Sequence, residues 1–77
     1  MSIQVGDRVR VVKNYYEGVP QLNVGAVGVV GLVNEEGYDF KSGKTVRAVG
    51  VFIDGHPDPI FNAGGWGYPE DYVEVIV

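Results

Sequence analysis

Along the chain, apolar residues come in short runs that alternate with polar residues or glycine. Nowhere do they recur at the three- and four-residue spacing of an amphipathic helix. Val9 and Val11 alternate with Arg8 and Arg10 inside Val5–Val12, which predicts a first strand with one wet face. Its β-branched content leaves nothing helical to compete. Gly25–Val33 is a valine run broken by glycines at three-residue spacing, which weakens a flat strand but permits the sharp bends that close a small barrel. Val46–Ile53 predicts a third strand, with Val49, Val51 and Ile53 as the better core set. Ile60-Phe61 reads as the start of a fourth. Pro69 disfavours helix in the residue before it, so Tyr68 is expected to be extended and Pro69-Glu70-Asp71 to form one tight turn. Val73 and Val75 alternate with Glu74 and are expected to face inward on a last strand.

The connections are equally legible. Gly6-Asp7 and Asn34-Glu35-Glu36-Gly37 read as turns, Tyr38–Thr45 as a second loop or hairpin tip, and Asp54-Gly55 as a strong turn signal. His56-Pro57-Asp58-Pro59 is too proline-rich for regular structure. Lys13–Asn23 is a polar and aromatic loop. Adjacent side chains of an extended segment point opposite ways, so one of Tyr15 and Tyr16 is expected to be exposed. Short strands between glycine-rich turns predict an all-β barrel or roll of about five antiparallel strands, with no helix beyond one turn at Pro69–Tyr72.

At 77 residues the chain is expected to form one domain, residues 1–77. A chain of this size buries only about 60% of its unfolded surface. With no cysteine, its apolar core, drawn from the 45% of residues that are hydrophobic, is the only staple. There is no apolar run long enough to span a membrane as a helix. Met1-Ser2-Ile3-Gln4 has neither a basic region nor an apolar core, so no secretory leader is expected and the expected location is cytoplasmic. A net charge of −4 has the wrong sign for generic binding to nucleic acid or to an anionic membrane.

Several motifs point to chemistry only superficially. Ser42-Gly43-Lys44-Thr45 matches the tail of a phosphate-binding loop, but the glycine required five residues before Gly43 is Tyr38, and a strand follows where a helix is needed. A hairpin tip is expected instead. Asp54, His56 and Asp58 alternate at a spacing that suits metal ligands, yet prolines flank them and no fourth ligand is evident. His56 is the sole histidine, and neither Ser2 nor Ser42 has a nucleophile context. Glu35-Glu36 and Glu70-Asp71 lie in turns, where solvation explains them. The expectation is a protein that is not an enzyme and needs no cofactor or metal.

The aromatic residues carry more. Trp66-Gly67-Tyr68-Pro69-Glu70-Asp71-Tyr72-Val73-Glu74-Val75 resembles the Gly-aromatic-Pro-x-x-Tyr-Val-x ending of SH3 domains. That resemblance implies an SH3-like barrel whose first loop and terminal segment lie side by side as a protein-binding groove. Tyr15, Tyr16, Trp66, Tyr68, Pro69 and Tyr72 are its candidate residues; the alternative is that Trp66 and Tyr68 simply fill a small core, a reading that fits Tyr68 equally well. The chain lacks the Ala-Leu-Tyr-Asp-Tyr run of signalling SH3 domains, and Trp66 lies too close to Tyr72 to match their groove tryptophan. These departures point away from proline-rich ligands but not from protein binding. The opening Gly6-Asp7-Arg8-Val9-Arg10-Val11 is similar to that of bacterial and plastid SH3-like proteins, among them the small photosystem accessory subunit and the variable chain of ferredoxin-thioredoxin reductase. This implies an accessory or regulatory subunit that docks on a larger protein. The Gly25-x-x-Gly28-x-Val30 pattern also resembles KOW-type modules, and a nucleic-acid or ribosome-associated role would use Arg8, Arg10, Lys13 and Arg47. A small viral or host-defence inhibitor is a third reading.

Overall fold

The computed structural model describes residues 2–56 and 64–76. It contains five strands: β1 (Arg8–Val11), β2 (Val27–Asp39), β3 (Lys44–Ile53), β4 (Trp66–Pro69) and β5 (Val73–Val75). All pair antiparallel in one sheet of order β4-β3-β2-β1-β5. The all-β expectation holds. The sheet does not close into a fully hydrogen-bonded barrel: among the described residues no ladder joins β4 to β5. Pro69 brings no N–H to its end of β4, and the chain passes to β5 through a 3-10 turn at Glu70–Tyr72. A second 3-10 turn, Pro20–Leu22, lies in the first loop and was not expected. It starts on a proline, whose fixed φ suits a first helical position.

The core follows the alternation. Val9, Val11, Leu22, Val30, Val49, Val51, Ile53, Tyr68 and Val73 are buried together, Ile3 joining them from the N-terminal segment. Burying each aliphatic side chain stabilises the fold by roughly 1.5–3 kcal/mol. Val75 departs from expectation at 46% exposed: β5 is three residues long and pairs only with β1, so its far end has nothing to cover it.

Asn34-Glu35-Glu36-Gly37 is not a turn. β2 runs through it, and the register with β3 slips between Asn34 and Gly37. The Asn34 side chain accepts the Glu36 N–H at 3.0 Å, while Gly37 lies against Ala48, where a Cβ would collide with the Ala48 methyl. The polar tetrapeptide therefore makes a bulge that bends the hairpin. The predicted bend within the valine run has its counterpart at Gly31, where the Phe52 ring lies in the space a Cβ would take. The Ile60-Phe61 strand expectation lies outside the described residues. No helix among the described residues is long and apolar enough to cross a membrane.

Candidate functional site: an aromatic cleft beside the β2–β3 hairpin

The first loop is shaped by one side chain. Asn23 Oδ1 accepts the N–H groups of Tyr15 and Tyr16, each at 3.0 Å, and its Nδ2 donates to the Tyr16 carbonyl at 2.6 Å. The backbone there is folded rather than extended, so both tyrosines pack partly against the core. The expectation that one of them is exposed therefore fails.

Tyr68 is the floor. It is 1% exposed and donates its hydroxyl to the Leu22 carbonyl at 2.7 Å. Tyr16 stands edge-on to it with ring centres 5.3 Å apart and donates its own hydroxyl to the Gly67 carbonyl at 2.5 Å. Tyr15 meets Tyr16 at 5.3 Å and Tyr72 at 5.2 Å, and Trp66 meets Tyr16 at 5.6 Å. Such edge-to-face pairs each contribute about 0.5–1.5 kcal/mol beyond burial. The predicted aromatic residues thus form one continuous cluster, but not as equals. Tyr68 and Pro69 are buried, and Tyr15, Tyr16, Trp66 and Tyr72 are half-buried.

Burial, with a smaller contribution from Tyr15, pushes the Tyr16 phenol up to about 12 against the bond to Gly67. Burial and the neighbouring Tyr16 also push Tyr68 up. Tyr72 is raised too, by burial first and then by the charges of Asp39 and Asp71 and by Tyr15. All three are neutral at physiological pH, and Tyr16 and Tyr68 donate their hydroxyls to main-chain carbonyls.

The open side of the cluster comes from residues with no place in the predicted site. Tyr38 and Phe40 lie at the hairpin end of β2, 56% and 80% exposed, with ring centres 5.2 Å apart. With Tyr15, Tyr16, Ala48, Gly67, Tyr68 and Pro69 they line a cleft of about 180 Å³. A second hollow of about 240 Å³ shares Tyr38, Phe40, Ala48 and Gly67 and extends to Leu32, itself 46% exposed.

The turn that carries Phe40 is held from within and below. The Asp39 carboxylate accepts the Lys41 N–H and the Ser42 hydroxyl, each at 2.9 Å, and Gly43 N–H bonds the Asp39 carbonyl at 2.8 Å. Burial would raise the Asp39 carboxyl, but the bonds from Lys41 and Ser42, with the Lys41 charge, together hold it below the ordinary carboxylate range. The Tyr15 hydroxyl accepts the Phe40 N–H at 3.0 Å, and Lys41 Nζ donates to the Asn14 carbonyl at 2.9 Å. The Ser42-Gly43-Lys44 stretch is therefore a hairpin tip, as expected. Alternation gave no warning of Phe40, because Tyr38–Thr45 is mostly polar and reads as ordinary loop.

The basic residues are engaged elsewhere. Arg8 pairs with Asp54, Arg10 with Glu74, and Lys13 lies 3.8 Å from Asp71 and over the Tyr72 ring. Arg47, 17% exposed, bonds Glu35 at 2.9 Å, Glu70, and the Ile3 carbonyl at 2.8 Å, clamping the N-terminal segment to the 3-10 turn. Arg8 and Arg10 share the exposed face of β1, Lys13 lies just beyond it and Arg47 is on β3, each beside a carboxylate. Of the Asp54, His56 and Asp58 trio, Asp54 binds Arg8, His56 lies 5.5 Å from the Trp66 ring, and Asp58 lies outside the described residues. Among the described residues no three His, Asp or Glu side chains gather as a metal site would require.

No protein-family model, curated protein or solved structure matches the chain.

Proposed function

We propose that the protein is a non-catalytic interaction module, an accessory or regulatory subunit that docks on a larger protein through the aromatic cleft. The observation that carries this reading is Phe40: a large apolar ring, 80% exposed, on a turn immobilised by its own hydrogen bonds and by Tyr15. Exposed aromatics on preordered backbone lose little entropy on binding and are the usual anchors of protein interfaces. The resemblance of the terminal segment to SH3 endings supports the same use of this face. The nucleic-acid reading is weakened because Arg8, Arg10, Lys13 and Arg47 already face carboxylates.

The test is affinity capture from the source cells with wild-type and Phe40→Ala baits, quantified by mass spectrometry. The expected result is a stoichiometric protein on the wild-type bait that is lost from Phe40→Ala. Equal capture by both, or nucleic acid as the main eluate, would contradict the proposal.

A further inference from the structure

We propose that Asp54-Gly55 is a site of spontaneous aspartate isomerisation, and that the Arg8 guanidinium restrains it by holding the Asp54 carboxylate. The site lies in the turn after β3 and is independent of the aromatic cleft.

Asp54 is the one aspartate followed by glycine, and no asparagine is followed by one. A glycine nitrogen has no side chain beside it to crowd its approach to the preceding carboxyl carbon. Asp7, Asp39 and Asp71 instead precede Arg8, Phe40 and Tyr72, whose side chains obstruct the same approach. The turn also leaves the reacting groups accessible. The Gly55 N–H has no acceptor among the described residues, and none of them lies within 4 Å of where a Gly55 Cβ would stand. The Asp54 side chain is 48% exposed. Main-chain bonds fix the ends of the turn, Asp54 N–H to the Val27 carbonyl at 2.9 Å and His56 N–H to the Ile53 carbonyl at 3.3 Å.

The chemistry needs water alone. The Gly55 nitrogen attacks the protonated Asp54 carboxyl carbon, and the carboxyl O–H leaves with the amide proton as water, closing a five-membered succinimide. Water then opens either imide carbonyl. One opening restores aspartate; the other routes the main chain through the side-chain carbon as isoaspartate, with no net change in mass.

One contact opposes the first step. Arg8, on β1, donates to both Asp54 oxygens, Nη1 to Oδ1 at 3.3 Å and Nη2 to Oδ2. Ring closure expels one of these oxygens and swings the carboxyl carbon toward Gly55, so the two-point grip must open first.

The experiment incubates the purified full chain at neutral pH for weeks, as wild type, Arg8→Gln, Arg10→Gln and Asp54→Glu. Isoaspartate is located by peptide mass spectrometry and by methyl transfer from S-adenosylmethionine with an isoaspartyl methyltransferase. It is expected at residue 54 of the wild type and not in Asp54→Glu, whose longer side chain cannot close the five-membered ring. Arg8→Gln should raise the rate about two- to fivefold, the strength of an exposed ion pair expressed as a rate. Arg10→Gln removes a comparable pair, with Glu74, from the same face of β1 and should leave the rate unchanged. No isoaspartate at residue 54 in either wild type or Arg8→Gln, or its earlier appearance at another aspartate, would overturn the site. Equal rates in wild type and Arg8→Gln, or equal acceleration by Arg10→Gln, would overturn the restraint.

Discussion

Tyr68 and Phe40 border the same cleft, yet they do opposite work. Tyr68 has its ring in the core and its hydroxyl on a main-chain carbonyl, so every part of it is used by the fold. Phe40 has no hydroxyl to anchor, lies at a hairpin tip and touches chiefly Tyr38, so the fold uses only its backbone. The difference between them shows that an aromatic patch is not one functional unit. Backbone partners commit the inner rings to the fold, whereas Tyr38 and Phe40 lie largely uncovered among the described residues and are the rings the proposed docking role would use.

The largest effect expected on the inner side is from the core itself. Val51→Ala or Val73→Ala should lower stability by about 1–3 kcal/mol, read by chemical denaturation, because each removes buried methyls. If Tyr72 belongs with the outer group, Tyr72→Ala should cost less than Val73→Ala. An equal or larger loss would place Tyr72 in the inner group.

Arg47→Ala should cost up to about 2–3 kcal/mol, since it leaves the partly buried Glu70 carboxylate and the Ile3 carbonyl without their guanidinium. The loss should appear in stability alone. A fall in partner capture with unchanged melting would move Arg47 from scaffold to interface.

The smallest effects come from pH, one at each end of the scale. The folded pKa of Asp39 is depressed from 3.8, so its contribution is present above that value and is lost as pH falls through the lower folded value. Asp39→Asn should flatten the acid limb of the stability curve and loosen the turn that presents Phe40. Tyr16 is raised from 10.0 to about 12, so its contribution is complete below pH 10 and lost as pH climbs through 12. Tyr16→Phe should therefore soften the alkaline limb, measured by melts across that window. An unchanged limb would mean that Tyr16 ionises as freely folded as unfolded.

Much of the fold was legible because period-two alternation is a direct image of a half-buried sheet: Val9, Val11, Val49, Val51 and Ile53 are all in the core. Other features were not. Asn34–Gly37 has turn composition, but the strands on either side pair strongly enough to absorb it as a bulge. Asn23 is one polar residue in a polar loop, and only the fold shows that it holds both tyrosine amides. Of the site, the sequence identified the half that the fold consumes. Tyr15, Tyr16, Trp66, Tyr68, Pro69 and Tyr72 do come together, whereas Tyr38 and Phe40 belong to the cleft only because the bent hairpin brings its tip onto the first loop.

The division between inner and outer aromatics is tested most directly by comparing two melting temperatures, that of Tyr68→Phe and that of the double variant Tyr38→Ala/Phe40→Ala. Removing one hydroxyl from Tyr68 leaves the buried Leu22 carbonyl without its donor, so the melting temperature should fall by roughly 5–15 °C. Removing two whole rings from the hairpin tip should shift it by no more than about 4 °C. A double variant that melts lower than Tyr68→Phe would contradict the account, because Tyr38 and Phe40 would then be holding the fold rather than waiting for a partner.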